Sequence, residues 1–167
     1  MSGSEAVESA EMDENHRLIG AFVNQFAIIE ALLTCWLQKL STDPELVALV
    51  LGDREFSVSQ QLSKAVRKLG ERRAPEVIAD LVKVLKQVDG LAPIRNAVAH
   101  NPHLLTAASK SAGWIRSRKQ GPEKAAVTIE DVKAGVRTTF EVVKGLEALY
   151  HRHFGADAIM SFDTWDR

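Results

Sequence analysis

Three polar residues, Arg95, Asn96 and His100, end an otherwise apolar helical pattern near the middle of the chain. The guanidinium is permanently charged and can grip phosphate oxygens, and an imidazole changes its protonation near neutral pH. Asn96 and His100 are four residues apart and share a helix face, whereas Arg95 lies about 140° around the helix from His100. Pro102 disfavours helix at Asn101, which places His100 in the last turn. The set predicts phosphate chemistry at a helix end.

The same three residues also have a purely structural interpretation. An Arg and an Asn near a helix end often cap carbonyl groups, and a histidine in the last turn satisfies the helix dipole. Spacing alone does not decide between the two interpretations.

The run Ile94-Arg-Asn-Ala-Val-Ala-His-Asn-Pro102 resembles the signature of the HEPN (higher eukaryotes and prokaryotes nucleotide-binding) superfamily. In that signature an Arg and a polar residue are followed by a short spacer and a His. The run fits without a gap, and the helical layout around it covers most of the chain. The resemblance implies an all-α, HEPN-like helical bundle with a small irregular or hairpin insertion after the motif helix.

The resemblance also implies a metal-independent endoribonuclease, in which two protomers pair so that their motifs form one cleft. Its catalytic residues would be Arg95, Asn96 and His100, and it would need no cofactor and no metal. The expected partners are RNA, a second copy of the chain and, for a toxin-like enzyme, an antitoxin or another protein. The alternative is a non-catalytic HEPN-like module that binds a nucleotide or another protein, because a fold does not fix a function.

Composition narrows the class of protein. The 167 residues fit one globular domain, and the net charge is −1, from 21 basic and 22 acidic residues. Five of the acids lie before residue 15, so the rest of the chain carries 21 basic against 17 acidic residues, a net charge of +4 that suits an anionic partner.

The single cysteine, Cys35, excludes an internal disulfide and is expected to be buried in an apolar helix. No stretch is expected to span a bilayer, and we therefore predict a cytoplasmic protein with no membrane partner.

Periodicity and helix-end signals predict a helical domain over residues 13–155, between a disordered tail over 1–12 and a second tail over 156–167. The predicted helices cover 13–40, 44–51, 57–70, 75–100 and 128–154. Gly70 and Gly155 are expected to end helices, and Pro93 either kinks the fourth helix or begins a new one. The first helix has an apolar stripe widened by Ile28 and Leu32, which predicts a dimer contact, and Phe140 is expected to face inward.

Five further residues are weaker candidates for substrate binding. Glu30 is at the edge of the first helix's apolar stripe, and a solvated or ion-paired glutamate is the alternative. His103 follows the motif. Trp114, Arg116 and Arg118 combine a stacking surface with cations, as readers of single-stranded RNA do, although a tryptophan that anchors a hairpin is equally consistent.

Overall fold

The computed structural model describes residues 3–41, 58–100 and 127–155, nearly all of them helical and none in a strand. The helices are α1 (Gly3–Leu40), α2 (Val58–Arg73), α3 (Pro75–His100) and α4 (Ile129–Phe154). The all-α prediction is therefore confirmed, and the predicted limits of α3 and α4 agree within one residue. The predicted helix over 44–51, all but the last residue of the predicted insertion over 104–127, and the tail over 156–167 lie outside the described residues.

Helix α1 begins at Gly3, ten residues before the predicted helix start at residue 13 and within the segment that was predicted to be a tail. The segment lacks an apolar stripe, which is the signal on which the prediction depended. Its alanines and glutamates are strong helix formers, and acidic side chains near a helix N-terminus interact favourably with the helix dipole.

A seam of buried residues recurs along α1 at alternating spacings of four and three. Nearly all of its members are large and apolar, and they pack as in a helical bundle. The seam comprises Asn15, Ile19, Phe22, Phe26, Ile29, Leu33, Trp36 and Leu40. Leu32 is fully buried and Ile28 half-buried within the chain, so the stripe that predicted a dimer contact is largely used inside the protomer.

The chain divides into two compact units, each of which includes parts of α1, α3 and α4. The first unit comprises Met1–Ala27 and Gly90–Phe140. Within it, three helices meet at Gly135 of α4, where an added Cβ would lie 3.0 Å from Phe22 of α1 and 3.1 Å from Ile94 of α3. Glycine therefore allows the motif helix to pack closely in this unit.

The second unit comprises Ile28–Asp89 and Glu141–Arg167. Its core contains Trp36, whose indole nitrogen donates a hydrogen bond to the carbonyl oxygen of Leu146 at 3.3 Å. The Trp36 ring also meets the rings of Tyr150 and Phe154 edge to face. Along α3, Asp80 contacts Arg152 and Val84 packs near Gly145, so α3 runs antiparallel to α4 here.

Gly70 does not end α2 as predicted, since the helix continues to Arg73. The glycine instead allows two helices to pack closely. A Cβ at this position would overlap the side chain of Ile78, so the absence of a side chain lets α3 pack against α2. Gly155, by contrast, has a φ of 91° and follows the last residue of α4, which confirms the predicted glycine stop.

The prediction that Phe140 faces inward is wrong, because its side chain is 41% exposed. The inward face of α4 instead follows Val132, Gly135, Thr139 and Val142, whose spacing of three, four and three avoids Phe140. Thr139 is completely buried, and its hydroxyl donates to the carbonyl oxygen of Val136 at 2.7 Å.

Helix α1 bears on the expectation that no stretch could span a bilayer. Within the described residues, Met12–Leu40 is long and apolar enough to cross a membrane, by length and composition alone. The core helix of a soluble protein and a signal sequence satisfy the same criterion. The fully buried side chains along its seam are those of a core helix.

Candidate functional site

The motif lies in the last two turns of α3, in the first compact unit. Pro93 neither ends the helix nor begins a new one, since α3 is continuous from Pro75 to His100. Proline has no N–H to offer the carbonyl of Asp89, four residues earlier. The Asp89 carboxylate is anchored to α2, where it accepts hydrogen bonds from Ser63 and Arg67, both at 3.0 Å.

Arg95 is half-buried, on the side of α3 that carries the buried residues Leu91, Ala92 and Val98. Its guanidinium makes neither a hydrogen bond nor an ion pair with any residue that the structure describes. A partly buried cation without a carboxylate partner is unfavourable for folding. Such a group is suited to an anionic ligand.

Asn96 lies on the exposed side of the same turn, and His100 is the last residue of α3. In the structure the motif therefore combines a half-buried cation, Arg95, with an exposed amide, Asn96.

Of the five weaker candidates, one lies within the described residues. Glu30 is half-buried and belongs to the second unit, whereas Arg95, Asn96 and His100 belong to the first. His103, Trp114, Arg116 and Arg118 lie outside the described residues.

Asn15 is a polar residue that the sequence analysis missed. It occupies a seam position of α1 in the first unit and is only 5% exposed. Its amide nitrogen is buried and has no hydrogen-bond partner among the described residues. The signal was available, because Asn15 precedes Ile19 by four residues and continues the apolar spacing with a polar side chain.

Cys35 and Arg67 do not form a second candidate site. Cys35 is half-buried, and burial raises the pKa of its thiol, which disfavours the nucleophilic thiolate. Arg67, in the basic end of α2, is paired with Asp89. No group of three or more His, Cys, Asp or Glu residues that could hold a metal ion occurs in the described part of the chain.

Comparison with protein-family models, curated proteins and solved structures finds no match to this chain. The resemblance to the HEPN superfamily therefore rests on the motif and on the all-α fold that carries it.

Proposed function

We propose that the chain is a HEPN-like, metal-independent endoribonuclease whose active site combines Arg95, Asn96 and His100 from two copies of the chain. The observation that carries the proposal is the half-buried guanidinium of Arg95, which has no carboxylate or hydrogen-bond partner among the described residues. A phosphate group would supply the missing negative charge through two parallel hydrogen bonds.

The chemistry follows from the side chains. An imidazole accepts the proton of a ribose 2′-hydroxyl as its oxygen attacks the adjacent phosphorus, and the bond from phosphorus to the 5′-oxygen breaks. A second imidazole, from the other copy, donates a proton to that leaving oxygen. Arg95 stabilises the charge that develops on the phosphorane, and Asn96 orients the reacting groups. The products are a 2′,3′-cyclic phosphate and a 5′-hydroxyl.

The fold supports this proposal only in part, since helical bundles serve many functions. A cytoplasmic location, a toxin-like role and an antitoxin partner belong to the proposal as well. DNA lacks the 2′-hydroxyl nucleophile, so we expect single-stranded DNA of the same sequence to remain intact.

The test is the degradation of a mixed RNA by purified protein in excess EDTA, with Arg95→Ala compared with wild type. We expect the variant to lose roughly 100- to 1,000-fold in rate, the effect of removing one charge-stabilising group, while its melting temperature does not fall. Arg17→Ala is the matched control, because Arg17 is exposed in the same unit and paired with Glu14 at 2.8 Å.

The non-catalytic alternative predicts a different result in the same experiment. If wild-type protein leaves RNA intact but binds it, and Arg95→Ala weakens that binding, the chain is a binding module. If Arg95→Ala mainly lowers the melting temperature, Arg95 has the capping role that the sequence also allowed.

A further inference from the structure

Of the four described helices, α2 is the most positively charged. Its 16 residues include five basic residues and one acidic residue, a net charge of +4. The helix dipole favours cations in the last turn, where Arg72 lies, but its effect falls off beyond that turn. Lys64 and Lys68 lie before the last turn, so the dipole does not account for them.

Contacts within the second unit fix how α2 packs against α3. The Asp89 carboxylate of α3 accepts hydrogen bonds from Ser63 and Arg67 of α2, both at 3.0 Å. Further along α2, Gly70 lies against Ile78 of α3. Higher residue numbers on α2 thus meet lower residue numbers on α3, so the two helices form an antiparallel hairpin.

Four exposed cations lie on the outer side of this hairpin. Its inner side is formed by fully buried apolar residues, among them Leu62, Val66, Leu81 and Leu85. Lys68 is two residues from Val66, and Lys83 is two residues from both Leu81 and Leu85, so each lysine is about 160° around its helix from the core. The basic surface comprises the exposed residues Lys68, Arg72, Lys83 and Lys86.

The basic surface lacks a counter-charge of its own. None of its four residues makes a hydrogen bond or an ion pair with any residue that the structure describes. Residues 58–89 include seven basic and four acidic residues, a net charge of +3. Of these acids, Asp89 is paired with Arg67 and Asp80 with Arg152. The acids that remain are Glu71 and Glu76, so the cations outnumber the carboxylates available to them.

We infer that the basic surface binds the phosphate backbone of the RNA that the first unit is proposed to cleave. The inference rests on the proposed function, and it adds a substrate-docking surface on the second unit. Lys68 and Arg72 are about 6 Å apart along α2, and Lys83 and Lys86 are about 4.5 Å apart along α3. Like charges on adjacent turns repel each other, and successive phosphates of one RNA strand can neutralise several of them at once.

An anionic membrane is the competing partner, because basic amphipathic helices often bind lipid surfaces by burying an apolar face among the headgroups. The apolar face of α2 is already buried in the core of the unit, as Leu62 and Val66 show. Among the described residues, the exposed large hydrophobic side chains are Met12, Val23 and Phe140, and all three belong to the first unit. The basic surface therefore offers charge without an apolar anchor, which favours RNA.

The experiment compares two double variants, Lys68→Gln/Arg72→Gln and Lys83→Gln/Lys86→Gln, with wild type. Affinity towards a non-cleavable 2′-O-methyl RNA is measured over a range of salt concentrations. Each phosphate contact adds about 0.7 to the slope of log affinity against log salt for a single strand. We therefore expect each double variant to lose up to about 1.4 from this slope and at least about tenfold in affinity at about 0.1 M salt.

Melting temperatures separate this role from a structural one. Glutamine is nearly as good a helix former as lysine or arginine, and its introduction removes the repulsion between neighbouring cations. Both double variants should therefore melt at or above the temperature of wild type. A lower melting temperature in both would assign the cations to folding and overturn the inference.

The matched control is Lys144→Gln/Arg152→Gln, which removes two positive charges from exposed positions of α4 in the same unit. This control should keep the salt dependence of wild type. Equal losses in the control and in the double variants would overturn the inference, because they would reflect net charge alone. Unchanged RNA affinity in the double variants would overturn it too, and their loss of binding to phosphatidylserine-containing vesicles would then identify the partner as a membrane.

Failure of the inference is distinguishable from failure of the proposed function. If wild type cleaves RNA and both double variants bind and cleave it equally well, only the role of the basic surface is wrong. If wild type binds the 2′-O-methyl RNA without cleaving natural RNA, and the double variants bind it more weakly, only the nuclease proposal is wrong. If wild type binds no RNA, both are wrong.

Discussion

The arginines of this chain differ in whether a carboxylate accompanies them. Arg17 is paired with Glu14, Arg67 with Asp89 and Arg152 with Asp80. Arg95 is half-buried yet has no such partner among the described residues. Surface ion pairs contribute little to stability, whereas an unpaired, partly buried cation opposes folding. Sequence spacing identified Arg95 as a candidate, but only the structure distinguishes it from the paired arginines.

Replacement of His100 by alanine tests the proposed role of this histidine in proton transfer. We expect RNA cleavage to fall by roughly 100- to 10,000-fold, as it does when a general acid or base is lost, with little change in melting temperature or oligomeric state. Rates and melting curves measured on the same preparations provide the check. Cleavage at the wild-type rate would exclude His100 from catalysis.

Arg95→Lys examines whether charge alone is sufficient. An ammonium cannot reproduce the planar fork that holds two phosphate oxygens, so lysine should restore little of the activity lost in Arg95→Ala. Steady-state cleavage rates of the two variants, compared side by side, measure this difference. Full activity in Arg95→Lys would mean that the site needs only a positive charge.

The thiol of Cys35 provides a prediction that is independent of RNA. Because burial raises the pKa of this thiol, a smaller fraction of it is ionised at a given pH than in an exposed cysteine. We expect the folded protein to react with a chromogenic disulfide more slowly than the same protein in denaturant at the same pH. Equal rates would mean that Cys35 is fully accessible in solution.

At the scale of the helices, prediction from sequence succeeded where a long apolar period controls packing. The seam from Ile19 to Leu40 and the limits of α3 are of this kind, because burial of large side chains dominates the free energy. Prediction failed at Phe140, where the apolar spacing from Val132 and Val136 suggested burial, although the neighbouring Thr139 holds the inner position. It also failed for the N-terminal part of α1, where helix propensity acts without an apolar stripe.

Replacing a glycine by alanine is expected to have opposite effects on stability at two positions of these helices. Gly70→Ala should destabilise the protein by about 1–3 kcal/mol, because the new methyl group overlaps Ile78. Gly20→Ala is the matched control, since nothing lies within 4 Å of its added Cβ. Alanine there should stabilise the helix by roughly 0.5–1 kcal/mol. Urea denaturation of both variants tests the pair, and an equally stable Gly70→Ala protein would contradict the close packing.

At the scale of the whole molecule, the proposed reaction needs more proton-transfer groups than one protomer contributes. Each motif offers a single histidine, whereas the cleavage step benefits from a proton acceptor and a proton donor. A two-fold pair supplies both, and closed two-fold dimers are the commonest oligomers. Within the described residues, the large apolar side chains that stay exposed are Met12, Val23 and Phe140, all in the unit that carries the motif.

Val23 is 51% exposed on α1, so a substitution at this position tests the pairing most directly. A charge introduced there by Val23→Glu should be buried without a partner if the face contacts a second copy, so dimerisation and RNA cleavage should fall together. Asn24→Glu adds the same charge at the neighbouring exposed position and serves as the control. Sedimentation equilibrium over the micromolar range measures the mass, which is 18.4 kDa for one chain and twice that for the dimer. A wild-type mass of one chain throughout that range, with RNA cleavage intact, would contradict the shared site and require both proton-transfer groups to come from a single protomer.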